Sequence, residues 1–282
     1  INGQRMYAVI NQSHKVEVMD AATSVRIGQV NIDNPRYIVF DSENAYVSSY
    51  VGGEGESGSV VRFNLSTLEV TGKVSVGLSP EEMVISGGKL YVANSALFKG
   101  NETTFDNTVS IIDLASFSKT GSIEVDVNLH HLKADGNGNL WANSRGNYGN
   151  IPARLHKLGR GTDGSYTVTA SYDLPCTNFT IADNKLYYYA TVYDASWNAV
   201  QSYGTIDTAS GNDLGSFITD GTDADIATPY AIAIHPDTGD IYLTDAKNYV
   251  SSGSLFCYSK DGKRKWAVKT GDVPGHLAFL KK

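Results

Sequence analysis

The stretch SPEEMVISGGKLYVANS (79–95) sets two short apolar runs on either side of a Gly-Gly pair. That pattern predicts a tight β-hairpin. Its second strand recurs along the chain, as MYAVIN (6–11), AYVSSY (45–50), LYVANS (90–95), LWANSR (140–145), LYYYAT (186–191) and IYLTDA (241–246). Each copy carries an aromatic residue in second place: Tyr7, Tyr46, Tyr91, Trp141, Tyr187 and Tyr242, at intervals of 39, 45, 50, 46 and 55 residues. A repeat of that length, built of strands, predicts a β-propeller of four-stranded antiparallel blades, because one such unit cannot bury its own face.

The other strands fall into the same register. First strands are expected at YIVFD (37–41), EMVIS (82–86), HLKAD (131–135), NFTIA (178–182) and YAIAIH (230–235), and third strands at VEVMD, VVRFN, VSIID, RLHKL, YGTID and LFCYS. Fourth strands open after glycine in IGQVNI, TGKVSV and TGSIEV. Period-two alternation and β-branched or aromatic content support strands throughout, and no amphipathic run of helical length lies between them. The fold class is therefore all-β, one propeller domain over residues 1–282 with six readable repeats. HLAFL (276–280) reads as a first strand without partners, and MYAVIN as a second strand without a first. Pairing the two would close a six-bladed ring and remove two open edges. A seventh blade, split and completed upstream of Ile1, would serve equally.

Strand order sorts the connections. Turns from first to second strands are short (DSENA, SGGK, DGNGN, DNK, PDTGD). Those from second to third strands are long: 49–59, 95–107, 144–153, 191–202 and 245–254. Binding residues concentrate in long loops on a rigid scaffold. These carry Tyr50, Phe98, Phe105, Tyr148, Tyr193, Trp197 and Tyr249, which suits a broad, partly apolar ligand or a protein partner; rings tucked against one another are the structural alternative. Aligning strand starts places Pro35-Arg36-Tyr37, Pro80-Glu81-Glu82, Leu129-His130-His131, Cys176-Thr177-Asn178, Pro229-Tyr230-Ala231 and Pro274-Gly275-His276 at equivalent points. First strands are innermost, so a polar crown of Arg36, Glu81, Glu82, His130, His131, Asn178, Tyr230 and His276 is expected at the channel mouth. It would line a wet tunnel or contact a ligand.

Composition narrows the function. Hydrophobic residues make up 41% of the 282 and charged residues 19%, so the chain is globular. A net charge of −7 excludes a nucleic-acid surface, which needs a basic face. No stretch is long and apolar enough for a membrane helix. Cys176 and Cys257 lack metal-ligand spacing and are expected as buried thiols. Two G-x-G-x-x-G matches, Gly53/Gly55/Gly58 and Gly159/Gly161/Gly164, open no helix and so cannot present one to a pyrophosphate. D-T-G-D (237–240) lacks the spaced ligands of an EF-hand and reads as a turn. The crown histidines with Glu81 and Glu82 are groups that acid–base or metal chemistry would use, but no metal-spacing motif accompanies them.

At SPEEMVISGGKLYVANS, NTVSIIDL and TGSIEVDVNLHHLKADGNGNLWANSRGNY the chain resembles the YVTN-type propellers. More closely, it is similar to the surface-exposed propeller lipoproteins of gut Bacteroidetes, the BtuG-like cobalamin-binding family. Similar wording continues through HKVEVMDAATSVRIGQV, RYIVFDSENAYVSSYVG, LYYYATVYD, PYAIAIHPDTGDIYLTDAKNYV and KWAVKTGDVPGHLAFL, nearly the whole chain. The resemblance implies a seven-bladed propeller with a further blade before Ile1, held at the outer-membrane surface by a lipid anchor upstream of this chain. Such a protein captures a corrinoid, vitamin B12, and passes it to a TonB-dependent outer-membrane transporter, without catalysis and without a cofactor of its own. The expected site, assigned by position on the loop-rich face, takes apolar contact from Tyr50, Phe98, Tyr148, Tyr193, Trp197 and Tyr249. Arg36, Glu81, Asn94, His131, Arg145, Asn178, Tyr230 and His276 would hydrogen-bond the ligand's amides. A lactonase- or lyase-like enzyme using the crown, and a scaffold binding protein or glycan, are the rival readings.

Overall fold

The computed structural model describes residues 1–51 and 57–280. Apart from two short 3₁₀ turns, Asn11–Ser13 and Thr222–Asp225, its regular structure is all strand. Six antiparallel sheets follow one another along the chain as the blades of a six-bladed β-propeller. The first blade has three strands, Arg5–Ile10, Lys15–Asp20 and Arg26–Asn31, and each of the other five has four. All six expected second strands form, the third blade's spanning Lys89–Asn94.

The recurrent aromatic explains the period. Tyr7, Tyr46, Tyr91, Trp141 and Tyr187 are buried, and Tyr242 is half-buried. Four of them sit in clusters that join neighbouring blades: Tyr7 with Val47 and Phe63, Tyr46 with Met83 and Val92, Tyr91 with Leu132 and Leu158, Tyr187 with Leu243 and Phe256. Each ring is thus covered by the next repeat, and truncating one costs about 3–5 kcal/mol.

The inner strands share a second feature. In the second, third, fourth and sixth blades the pairing skips one residue, between Pro35 and Ile38, Pro80 and Met83, Leu129 and Leu132, and Pro229 and Ile232. Each is a β-bulge holding one extra residue. In three of them the N–H freed from the ladder donates to a side chain on the neighbouring strand: Tyr37 to Ser48 Oγ (3.0 Å), His131 to Asn143 Oδ1 (2.7 Å) and Ala231 to Thr244 Oγ1 (2.8 Å). Strand pairing in the fifth blade runs Asn178 to Tyr189 without a skip.

Three expectations need correction. Residues 276–280 form no strand. Thr244 Oγ1 donates to the Pro274 carbonyl (2.7 Å), and the Phe279 ring packs on His235 and Tyr242 at 4.9 and 5.1 Å, so side-chain packing on the last blade replaces a ladder. The connection 95–107 is not irregular: Ala96–Lys99 pairs with Glu102–Phe105 as an inserted hairpin. Most of 191–202 is likewise strand, because Lys185–Tyr193 and Ala199–Asp207 run on past the blade as one long hairpin. Of the connection 49–59, residues 52–56, with Gly53 and Gly55, lie outside the described residues.

The chain divides into two compact units. The larger holds Ile1–Ala134 and Gly138–Tyr172, with Leu280, and contains the first four blades. The smaller holds Asp135–Asn137 and Asp173–Phe279, with the last two.

Candidate functional site

The bulges decide where the chemistry of the larger unit goes. Each delivers two successive side chains, Arg36 with Tyr37, Glu81 with Glu82, His130 with His131, to the start of an inner strand. The inner strands of the second, third and fourth blades pack against one another, so the three pairs meet. Glu81, 1% exposed, accepts the Tyr50 hydroxyl at 2.7 Å. It also accepts Arg36 Nε and Nη2 at 3.4 and 3.3 Å and Arg145 Nη1 at 3.5 Å. The Arg36 guanidinium lies over the Tyr50 ring, 4.9 Å from its centre. Burial and the Glu81 charge push the Tyr50 phenol up.

The neighbouring carboxylate has its own partners. Glu82 accepts His131 Nδ1–H at 3.0 Å, the Leu132 N–H at 3.1 Å and the Lys133 ammonium. Burial alone would raise its carboxyl, but Lys133 and His131 outweigh that and hold it at about 2. The His130 ring lies against His131 at a tilt of 42°, with centres 3.8 Å apart, and its Nε2 is hydrogen-bonded to the Tyr37 hydroxyl at 3.0 Å. Burial, then His131, Arg145, Arg36 and Lys133, depress His130 well below 6.5, so it is neutral at pH 7. His131 is depressed too, by burial against the pull of Glu82.

Asn94 sits elsewhere. It is fully buried, its amide donating to Thr108 Oγ1 and Ser110 Oγ (both 2.9 Å) and accepting the Gly77 N–H (3.2 Å), and it ties its blade together rather than facing solvent. Phe98, on the inserted hairpin, and Phe105 both lie 6.4 Å from the Tyr148 ring. Tyr148 adopts φ 57 in its loop.

The smaller unit gathers the remaining candidates. Tyr193 ends the long strand and Trp197 sits at the hairpin tip with φ 62, their rings 6.3 Å apart. Asp194 Oδ1 fixes the tip by accepting the Ser196 and Asn198 N–H groups. Tyr230 meets Tyr249 edge-on at 5.8 Å, and the Tyr189 hydroxyl donates to the Tyr230 carbonyl at 2.6 Å. Gly275 packs on the Tyr230 ring, where an added Cβ would lie 3.3 Å away, and His276 beside it is exposed. Asn178 is half-buried at the start of the fifth blade's inner strand. Five loop rings (Phe98, Tyr148, Tyr193, Trp197 and Tyr249) are more than half exposed, from 54% at Tyr249 to 83% at Trp197.

Several residues with clear roles carried no signal as candidates. Lys133, Tyr37, Ser48 and Asn143 complete the two networks. Ser48, Asn143 and Thr244 occupy the same place near the end of YVSS, WANS and YLTD, which is the trace of the bulges they cap. Gly159 lies within the strand Arg154–Arg160, Gly161 and Gly164 form the turn after it, closed by the Gly164 N–H on the Gly161 carbonyl, and 237–240 is a turn at which the Gly239 N–H meets the His235 carbonyl. Both cysteines are buried and neither is in a disulfide. Among the described residues no group of three or more His, Cys, Asp or Glu is placed to hold a metal ion, and no helix is long and apolar enough to cross a membrane.

No protein-family model and no curated protein matches the chain. Solved structures do. The hydrazine synthase of Kuenenia stuttgartiensis superposes with TM-score 0.75 at 17% identity, over 97% of this chain and 85% of that one. A functionally unknown protein from Desulfotomaculum acetoxidans gives 0.66 at 13%, over 96% and 81%. A quinoprotein alcohol dehydrogenase-like protein from Bacteroides thetaiotaomicron gives 0.64 at 14%, over 98% and 68%. These likenesses agree with the β-propeller fold. At these identities the likeness extends to the fold alone, which hosts unrelated functions.

Proposed function

We propose that this propeller is a non-catalytic binding protein whose ligand is a corrinoid, vitamin B12, held at the outer-membrane surface by an upstream lipid anchor and handed to a TonB-dependent transporter. One observation carries the binding reading: the acid and base groups are engaged with one another, while the aromatic rings are not covered. Glu81 and Glu82 are each surrounded by protein donors, whereas five loop rings stand more than half exposed. Enzymes need a group poised toward a reacting atom. Binding sites need exposed rigid rings, which gain most from being covered. The corrinoid itself is supported by the sequence resemblance, and the exposed rings of each unit suit a broad, partly apolar ligand.

Titration of the full chain with cyanocobalamin, followed by visible absorbance and by heat, tests the proposal. Saturable binding at micromolar protein is expected, weakened at least tenfold in a Tyr193→Ser, Trp197→Ser double variant. Absence of binding at that concentration overturns the reading. Co-purification with a co-expressed TonB-dependent transporter tests the hand-off, and a transporter that never co-elutes removes that half of it.

A further inference from the structure

The cluster around Glu81 is unbalanced. Two guanidiniums, Arg36 and Arg145, share one carboxylate, so the group carries a net positive charge at neutral pH, because arginine does not deprotonate in proteins. Glu82 does not offset this, being committed to Lys133 and His131. The contacts are also uneven. Glu81 holds the Tyr50 hydroxyl at 2.7 Å, but the guanidiniums only at 3.3–3.5 Å, long for charge-assisted bonds. Most of the arginine N–H donors have no acceptor among the described residues. Both side chains remain 32% exposed, so these donors are open to an incoming group. Surplus positive charge in a half-desolvated site is unfavourable until an anion meets it.

We infer that Arg36 and Arg145 form a site for an oxyanion, a carboxylate or a phosphate, with Tyr50 and Glu81 as positioning residues. The planar guanidinium fork matches either group in bidentate fashion. The Tyr50 ring under Arg36 fixes the plane of one fork. Tyr50 also pins Glu81 between the two arginines, which sets their separation. Glu81 competes for the same donors, so it orders the site while limiting its affinity.

The inference goes beyond the corrinoid reading and does not depend on it. The full chain is titrated with inorganic phosphate and with succinate at constant ionic strength, chloride being the reference, and binding is read by heat and by thermal shift. Saturable binding of one or both is expected. Tighter phosphate assigns a phosphate ligand, and tighter succinate a carboxylate. R36Q and R145Q should each weaken it at least tenfold. R145K, which keeps the charge opposite Glu81 and so keeps the fold, should weaken it as well because it loses the fork. E81Q should tighten anion binding several-fold while lowering the melting temperature, opposite signs that a purely structural ion network does not produce. No binding beyond chloride, or wild-type affinity in folded R145K, overturns the assignment. A chain that binds cyanocobalamin but neither anion refutes this inference alone, and the reverse result refutes only the corrinoid reading.

Discussion

Replacing Glu82 by Gln measures what the third and fourth blades gain from their shared ion network. The carboxyl is held at about 2 against an ordinary 4.5, a drop of about 2.5 pH units. At about 1.4 kcal/mol per tenfold change in proton affinity, the ionised form stabilises the fold by about 3 kcal/mol at pH 7. The sign follows from the depressed value: the contribution is complete above the unfolded carboxyl's 4.5 and is lost as pH falls through about 2. At pH 3.5 the unfolded chain is already mostly protonated while the native carboxylate is not, and about 2 kcal/mol should remain. Urea unfolding of wild type and E82Q at both pH values checks this, since Gln keeps the shape of the neutral acid. A deficit below 1 kcal/mol at pH 7, or one that does not shrink at pH 3.5, would refute the view that Lys133 and His131 outweigh the burial of Glu82.

Three further outcomes are expected. His130 is neutral in the fold and titrates near 6.5 when unfolded, so the chain should lose stability as pH falls below 6.5; His130→Gln should flatten that slope by about 1.4 kcal/mol per pH unit, with His131 and His156 supplying what remains, as urea midpoints between pH 5 and 7 would show. Gly146 has φ 64 and stands where a Cβ would lie 2.1 Å from the Ile151 carbonyl oxygen, so Gly146→Ala should cost more than about 2 kcal/mol, whereas Gly3→Ala, at φ 57 in open space, should cost about 1, both read from unfolding midpoints. Asn143→Ala strands the buried His131 N–H and should cost about 1–3 kcal/mol in the same assay, with amide exchange at His131 accelerated.

Much of the fold is legible because its period is written in large side chains. Tyr7, Tyr46, Tyr91 and Tyr187 recur at the place where a ring is covered by the next blade, and each is flanked by alternation too regular for a helix. The inserted hairpin Ala96–Lys99 with Glu102–Phe105 is less visible, since ALFK and ETTF are only four residues each and both carry a charge. Its Gly100-Asn101 turn, with Gly100 at φ 61, is the signal that was present. The strand expected at 276–280 fails for the converse reason: HLAFL is as apolar as an inner strand, but Phe279 packs on His235 and Tyr242 of the last blade, and packing overrides pattern. In the candidate site, residue types were readable and partners were not. Lys133 reaches Glu82 from 51 positions away and Arg145 reaches Glu81 from 64, distances over which periodicity carries no information.

The bulge links these levels. An unbulged inner strand would send Glu81 and Glu82 to opposite faces, one into the packing between blades, where an unpaired carboxylate costs several kcal/mol. One extra residue breaks the alternation at that point, and the freed N–H is capped where a Ser, Asn or Thr stands opposite, as at Ser48, Asn143 and Thr244. Two consecutive polar residues can then share an end of the inner strand in three successive blades, as Arg36-Tyr37, Glu81-Glu82 and His130-His131 do. With carboxylates in the middle blade and cations supplied from both sides, Glu82 is neutralised by the fourth blade alone, and Glu81 is left between Arg36 of the second and Arg145 of the fourth. The surplus positive charge at this rim therefore arises from which residues occupy the bulges, so exchanging the Glu81-Glu82 and Arg36-Tyr37 pairs would move the charge without altering the blades that carry it.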